Sequence, residues 1–179
     1  LGEVLERYIL TRGWARFIAV SGYTKEKLVR AGVEGRKVEV VPSGVDLPFF
    51  RRVKGRKSQE PTICCVSRLV RYKRVEDLLR ALVLVREEIP DVKCRIVGTG
   101  EEEGNLRRLA HEFGLGGAVE FLGFLPTQEE VVRVMKSSHV FCLPSAVEGL
   151  GLTLVEAMAC GLPFVASSLP PLREGSGGK

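Results

Sequence analysis

The 179-residue sequence has no apolar run near the ~20 residues that a membrane-spanning helix requires, so no bilayer crossing is expected from it. Its opening, Leu1–Gly2–Glu3–Val4, carries neither a basic segment nor a cleavage site, and a secretory signal is therefore not expected. The absent initial Met and the ending Gly175–Ser176–Gly177–Gly178–Lys179 lead us to expect a fragment of a longer protein. Histidine is scarce, with only His111 and His139, and neither stands beside a Ser or Cys nucleophile in a recognisable elbow. No CxxC spacing or Cys/His cluster occurs, which argues against structural zinc. The five cysteines, Cys64, Cys65, Cys94, Cys142 and Cys160, read as small buried hydrophobes of a reducing compartment. One Asn and two Gln against plentiful Arg, Lys and Glu suit a thermophilic source. The net charge of +5 is too modest for a nucleic-acid footprint, and no nucleic-acid partner is expected.

What the sequence does have is rhythm. Leu1–Arg12 carries a helical spacing of apolar residues, and Phe17–Val20 is a short apolar run closed by Ser21–Gly22. Thr24–Ala31 reads as a helix ended by Gly32, and Val38–Val41 as a strand closed by Pro42–Ser43–Gly44. Asp46 to Glu60 shows no periodicity and includes the basic run Arg51–Lys57, which reads as a solvated linker or a contact for lipid headgroups. From there, strands at Thr62–Val66, Cys94–Val97, Val119–Phe121, Val140–Leu143 and Phe164–Ala166 alternate with helices. The helices are expected at Val75–Glu88, Glu102–Phe113, Thr127–Lys136 and Leu152–Cys160. Several strands are apolar throughout, as in a parallel sheet covered on both faces. The expected fold is α/β, a doubly wound Rossmann-like parallel sheet from about residue 60 onward.

In such sheets ligands bind where the carboxyl ends of strands meet helix N-termini. The first such place holds Arg68 and Lys73, five residues apart in the loop after Thr62–Val66. A guanidinium fork and an ammonium point charge together suit a diphosphate. At ~4 Å and an effective dielectric near 20, each would contribute on the order of 4 kcal/mol before desolvation. Arg71 and Arg74 read as a solvated basic loop. At Gly98–Thr99–Gly100 the third glycine of a dinucleotide fingerprint is missing, since position 103 is Glu. Redox use of NAD is disfavoured, and Gly98 and Gly100 read as a tight strand-to-helix turn near the ligand.

The last such place is Pro144–Ser145–Ala146–Val147–Glu148–Gly149–Leu150–Gly151, ahead of the helix Leu152–Cys160. Glycines at 149 and 151 let backbone N–H groups approach a ligand closely. Glu156 is the only charged residue between Gly149 and Leu172. In a helix apolar nearly all round, and so expected to be buried, a lone carboxylate needs partners. Ligand hydroxyls would serve, at about 1.5–3 kcal/mol per charged hydrogen bond. Solvent exposure or a buried Arg would serve as well, and the helix pattern does not choose among them.

These segments occur in an order that resembles glycosyltransferase family four, the retaining two-domain transferases of the GT-B fold. The resemblance rests on Ser67–Arg68–Leu69 with Lys73, Val97–Gly98–Thr99–Gly100, Phe121–Leu122–Gly123–Phe124, and Glu148–Gly149–Leu150–Gly151 followed by Glu156–Ala157–Met158–Ala159–Cys160–Gly161–Leu162–Pro163. It implies three parts: residues 1–47 as the close of the acceptor domain, 48–60 as linker, and 61–179 as an incomplete donor-binding domain. It also implies that Arg68 and Lys73 bind the donor diphosphate and stabilise it as leaving group. Glu156 would hold ribose hydroxyls and Glu148 the transferred sugar. The Gly149–Leu150–Gly151 backbone would contact sugar and phosphate, with Gly98 and Gly100 at the donor. Leu150 stands where an aromatic is common and Ser43 where asparagine is usual.

The implied activity is hexosyl transfer from a UDP or GDP sugar to a carbohydrate, lipid or small-molecule acceptor. No cofactor or metal is implied, and the fragment alone is expected to be inactive. The implied location is cytoplasmic, with peripheral contact at the cytoplasmic face of a membrane. Two other readings stay open: a nucleotide-sugar epimerase of the same architecture, and a non-catalytic nucleotide- or protein-binding domain.

Overall fold

The computed structural model describes residues 16–178, so the helix expected at Leu1–Arg12 lies outside the described residues. Two compact units are present. The larger comprises residues 45–147 and 153–167; the described part of the smaller comprises residues 16–44, 148–152 and 168–178.

In the larger unit, five parallel strands take the order β5-β4-β3-β6-β7. They are β3 (Thr62–Val66), β4 (Lys93–Val97), β5 (Val119–Gly123), β6 (Val140–Leu143) and β7 (Phe164–Ala166). Between them run α3 (Val75–Glu88), α4 (Glu103–Glu112), α5 (Gln128–Ser137) and α6 (Leu152–Ala159). Every strand pairing in this sheet is parallel, as expected of strands joined by helical crossovers. One face carries a continuous core: Cys65, Cys94 and Ile96 from the strands meet Leu79 and Leu82 of α3 and Leu106 of α4. On the other face α5 packs against β3. A second cluster forms there from Phe50, Val53 and Val132, with Ala159 and Cys160 packed against it. The doubly wound sheet with helices on both faces is therefore as the sequence led us to expect. Chain order reverses at β3, because β4 lies on one side and β6 on the other, and such switch points open a crevice above the strand ends.

The smaller unit contains β1 (Phe17–Ala19) and β2 (Val38–Val40), paired in parallel, and α1 (Gly22–Arg30). Ala19, Val33 and Val38 form its core. Ser21 caps α1, its Oγ accepting from Thr24 N–H at 3.0 Å. At α5 the capping box is complete: Thr127 Oγ1 accepts from Glu130 N–H at 3.3 Å, and Thr127 N–H donates to Glu130 Oε2 at 3.0 Å. That is why the helix begins where the sequence placed it.

One stretch departs from expectation. The span 48–60, read as linker, overlaps a helix, α2 (Leu47–Arg52). Asp46 caps it, its Oδ1 accepting from Phe49 N–H at 3.1 Å, and Pro48 stands in its first turn. Phe50 and Val53 are buried beneath it, so too short a period concealed a real apolar face. Lys136 of α5 donates to the carbonyls of Phe50 at 2.5 Å and Val53 at 2.7 Å, satisfying acceptors at the end of α2. Lys57 donates to Ser138 O, and Ser58 N–H donates to Ser137 O at 2.9 Å, which ties the rest of the stretch to the larger unit. After β7 the chain forms α7 (Pro170–Gly175), with Pro171 and Leu172 buried. Proline in the first helical turn costs no hydrogen bond there.

Candidate functional site

Arg68, Lys73, Gly98, Gly100 and Glu156 belong to the larger unit; Glu148, Gly149, Leu150 and Gly151 belong to the smaller. Each group is described within its own unit.

The loop after β3 stands at the switch point. Its backbone is pressed against the loop after β4: Ser67 N–H donates to Val97 O at 3.0 Å, and Leu69 N–H to Thr99 O at 2.9 Å. Glycine is required at this approach. A Cβ on Gly98, whose φ is +121°, would lie 1.9 Å from Ser67 O, and one on Gly100 would lie 2.2 Å from Leu69 O. Gly98 and Gly100 thus hold the Arg68 loop in place by backbone proximity. Leu69 anchors the loop from below, fully buried in the core of α3 and α4.

Arg68 emerges exposed from that loop and donates from Nη2 to the Tyr72 hydroxyl. Arg68 Cζ and Lys73 Nζ each lie 5.8 Å from the Tyr72 ring centroid. Arg68 and Lys73 thus each lie near the ring of one tyrosine, which their spacing did not single out. Its only sequence signal was an aromatic residue set directly before Lys73. The Tyr72 carbonyl accepts from Ala146 N–H at 2.8 Å, which joins the loop after β3 to the loop after β6. Beside them an open cleft of about 570 Å³ is lined by Arg71, Tyr72, Arg74, Glu76 and Ala146. Arg74 is solvent-exposed, as it was read, and also takes a left-handed backbone (φ 51°) and pairs with Asp77 at 2.6 Å.

Glu156 lies on the second turn of α6. Leu154 and Ala157 are the buried residues of that helix, while Leu152 is 42% exposed, so the all-round burial expected for it does not occur. Glu156 is half-buried and accepts from Gln128 Nε2 at 3.2 Å, so its partner is an amide of α5 and not a buried Arg. Burial raises its carboxyl above the ordinary value of 4.5, and the Gln128 hydrogen bond offsets only part of this. Gln128 was missed because nothing in its local spacing points across 28 residues to Glu156.

In the smaller unit the Gly149 carbonyl accepts from Ser21 Oγ at 2.6 Å and Thr24 Oγ1 at 3.3 Å. The cap of α1 therefore also holds the glycine loop. Gly151 is buried with φ +79°, a conformation that favours glycine. Leu150 is 8% exposed, so its side chain packs. Glu148 is half-buried. In the same unit Gly22 N–H donates to both carboxylate oxygens of Glu174, at 2.8 and 3.0 Å.

The remaining candidates are structural. His139 Nδ1 accepts from Thr62 N–H at 3.1 Å at the entrance to β6. All five cysteines are free thiols. Burial pushes Cys65 up to about 12 and Cys64, Cys142 and Cys160 to about 11, which keeps them protonated and poor nucleophiles. Among the described residues no group of three or more His, Cys, Asp or Glu side chains is placed to hold a metal ion. No described helix is long and apolar enough to cross a membrane.

Residues 46–175 match the family Glycosyl transferases group 1, and residues 2–49 match Glycosyltransferase Family 4. The chain belongs to the group 1 glycosyltransferases. A relative from Mycobacterium tuberculosis, a GDP-mannose-dependent alpha-(1-6)-phosphatidylinositol monomannoside mannosyltransferase, is 33% identical over 165 residues, which is 83% of this chain and 43% of that protein. An MMP alpha-(1->4)-mannosyltransferase from Mycolicibacterium hassiacum is 35% identical over 154 residues, 86% of this chain and 37% of that protein. Among solved structures, Anabaena HepE with UDP and glucose superposes with a TM-score of 0.82 at 22% identity, covering 96% of this chain and 49% of that one. WaaG, a glycosyltransferase of lipopolysaccharide biosynthesis, superposes with a TM-score of 0.81 at 18% identity, covering 97% of this chain and 50% of that one. At these identities the superpositions establish the fold, the doubly wound half of the GT-B class. The chain spans less than half the length of the curated relatives it matches.

Proposed function

We propose that this chain supplies the donor-binding half of an enzyme that transfers a hexosyl group from a UDP or GDP sugar to an acceptor, with retention of configuration. The observation that carries the proposal is the gathering of Arg68 and Lys73 about Tyr72 above the switch point, where a diphosphate would meet both cations. The bond broken is that between the sugar's anomeric carbon and the diphosphate oxygen, and the departing diphosphate gains negative charge. Arg68 and Lys73 stabilise that charge without a metal. Removing one well-placed donor from a comparable anion site costs about 2.7–4 kcal/mol of activation. Glu156, half-buried and with its carboxylate bonded among the described residues to the neutral Gln128 amide, has acceptor capacity left for ribose hydroxyls. Glu148, with Gly149, Leu150 and Gly151, is assigned to the transferred sugar on the resemblance. Gly98 and Gly100 serve the donor by setting the Arg68 loop.

Support also comes from relatives named as GDP-mannose-dependent mannosyltransferases and from the structure of HepE with UDP-glucose. Residues 61–179 form the donor part and residues 1–47 the close of the acceptor part. The acceptor is a carbohydrate, lipid or small molecule, and the enzyme works in the cytoplasm or at the cytoplasmic face of a membrane. The chain alone binds donor without turning it over.

Calorimetric titration with UDP-glucose and GDP-mannose tests this. One of the two is expected to bind, and Arg68→Ala and Glu156→Ala are each expected to weaken it at least tenfold, about 1.4 kcal/mol. Binding of neither sugar nucleotide, or indifference to both substitutions, would overturn the assignment.

A further inference from the structure

We propose that Tyr72 is a positioning residue for the donor diphosphate, holding Arg68 and Lys73 about one aromatic ring so that they meet the ligand as a preset pair. This rests on the diphosphate reading above and adds a residue to it. Tyr72 belongs to the 3-10 turn Arg71–Lys73 and is 38% exposed. Its hydroxyl accepts from Arg68, and its ring centroid lies 5.8 Å from both Arg68 Cζ and Lys73 Nζ.

An aromatic ring attracts a cation through its quadrupole without cancelling the charge. A carboxylate in the same place would hold Arg68 equally well and would then compete with the incoming phosphate for it. Tyr72 restrains the guanidinium and leaves its charge available. Arg68 is a long, exposed side chain, and freezing it on binding would otherwise cost rotamer entropy.

The backbone beneath Tyr72 is fixed from three directions. Lys73 N–H donates to Val70 O at 2.9 Å, Ala146 N–H donates to Tyr72 O at 2.8 Å, and Arg74 closes the turn. Arg74 is the one non-glycine with positive φ among the described residues, and its Nε is bonded to Asp77 Oδ2 at 2.6 Å. Left-handed backbone in a bulky residue persists only where its surroundings over-determine it. Here its effect is to aim Tyr72 and Lys73.

The test titrates the wild-type chain, Tyr72→Phe and Tyr72→Ala with UDP, GDP and inorganic pyrophosphate, using uridine and guanosine as phosphate-free controls. Circular dichroism establishes that each variant is folded, and Tyr72→Phe decides alone if Tyr72→Ala is not. Losing the hydroxyl is expected to weaken diphosphate binding about three- to tenfold, the size of one net hydrogen bond. Losing the ring as well is expected to weaken it further. Neither change should alter nucleoside binding, and Tyr72→Phe should cost less in an Arg68→Ala background than alone. Wild-type diphosphate affinity in both variants, or a parallel loss of nucleoside affinity, would overturn the positioning role and leave the diphosphate reading standing. A wild-type chain that binds none of the three diphosphates overturns both.

Discussion

Arg68 and Arg95 belong to neighbouring parts of one sheet and are spent differently. Arg95, inside β4, donates from Nη1 to Ser58 Oγ at 3.1 Å and Ser137 Oγ at 3.0 Å, and from Nε to Glu120 at 3.3 Å. It lines a cleft of about 380 Å³ with Glu60, Lys93 and Glu120, and Lys93 there donates to Gly117 O at 2.9 Å. Arg68, just past the end of β3, has the Tyr72 hydroxyl as its one hydrogen-bond partner among the described residues. A guanidinium carries five N–H donors. One arginine has committed most of them to the fold, and the other leaves most of them uncommitted among the described residues. Two arginines of equal charge therefore differ in the property that matters for anion binding, and charge alone does not reveal it.

The contrast can be broken most severely from beneath Arg68. Gly98→Ala sets a Cβ 1.9 Å from Ser67 O at a positive φ and is expected to destabilise the chain by about 3 kcal/mol. Urea unfolding measures that loss, and a titration of the surviving folded protein should show diphosphate affinity falling with it. A second, purely structural cation comes next. Lys136→Ala strips two carbonyls at the end of α2 of their donor and should cost about 2 kcal/mol, with diphosphate affinity intact. Arg95→Ala should cost about 1 kcal/mol, since its ion pair is partly screened, and should leave UDP and GDP titrations unchanged. Arg68→Ala should do the reverse, moving urea stability by no more than ~0.5 kcal/mol while abolishing tight diphosphate binding. If both arginines shift stability alike, the distinction between them fails.

The smallest effect concerns Glu156. Burial raises its folded pKa above 4.5, so the folded chain binds the extra proton, and stability falls as pH rises from about 4.5 through the raised value. Glu156→Gln has no charge to desolvate. It should melt slightly higher than the wild type at pH 7, with the difference vanishing below pH 4.5. Donor affinity should move the other way, the wild type binding better at pH 7 and losing that advantage as Glu156 protonates. Thermal melts and titrations across that pH range would check both signs.

The two cations and the carboxylate of the proposed site can each be read from the sequence pattern. The Arg68–Lys73 spacing was readable because both residues sit in one loop, and the loop's place followed from an apolar strand on one side and an amphipathic helix on the other. Glu156 was readable as the single charge in an apolar helix. The structure revised its surroundings, since the helix is only half covered and Gln128 supplies the hydrogen bond. Gly98 and Gly100 were read as a tight turn, yet the reason for glycine there is Ser67 and Leu69, about thirty residues away. Lys136 carried no signal and Tyr72 only that of an aromatic set directly before Lys73, because what each does depends on partners that pattern alone does not identify.

The sequence by itself determined the alternation of strands and helices, their approximate bounds, and which residues could bear charge toward a ligand. These are properties of one element at a time, written in the period of its apolar residues. The tertiary structure decided the order of strands that makes β3 the switch point, the docking of α2 under Lys136, the backbone approach that demands Gly98 and Gly100, and the ring that gathers Arg68 and Lys73. Each of these depends on where separate elements come to rest, which is set by packing and by hydrogen bonds closed across the chain.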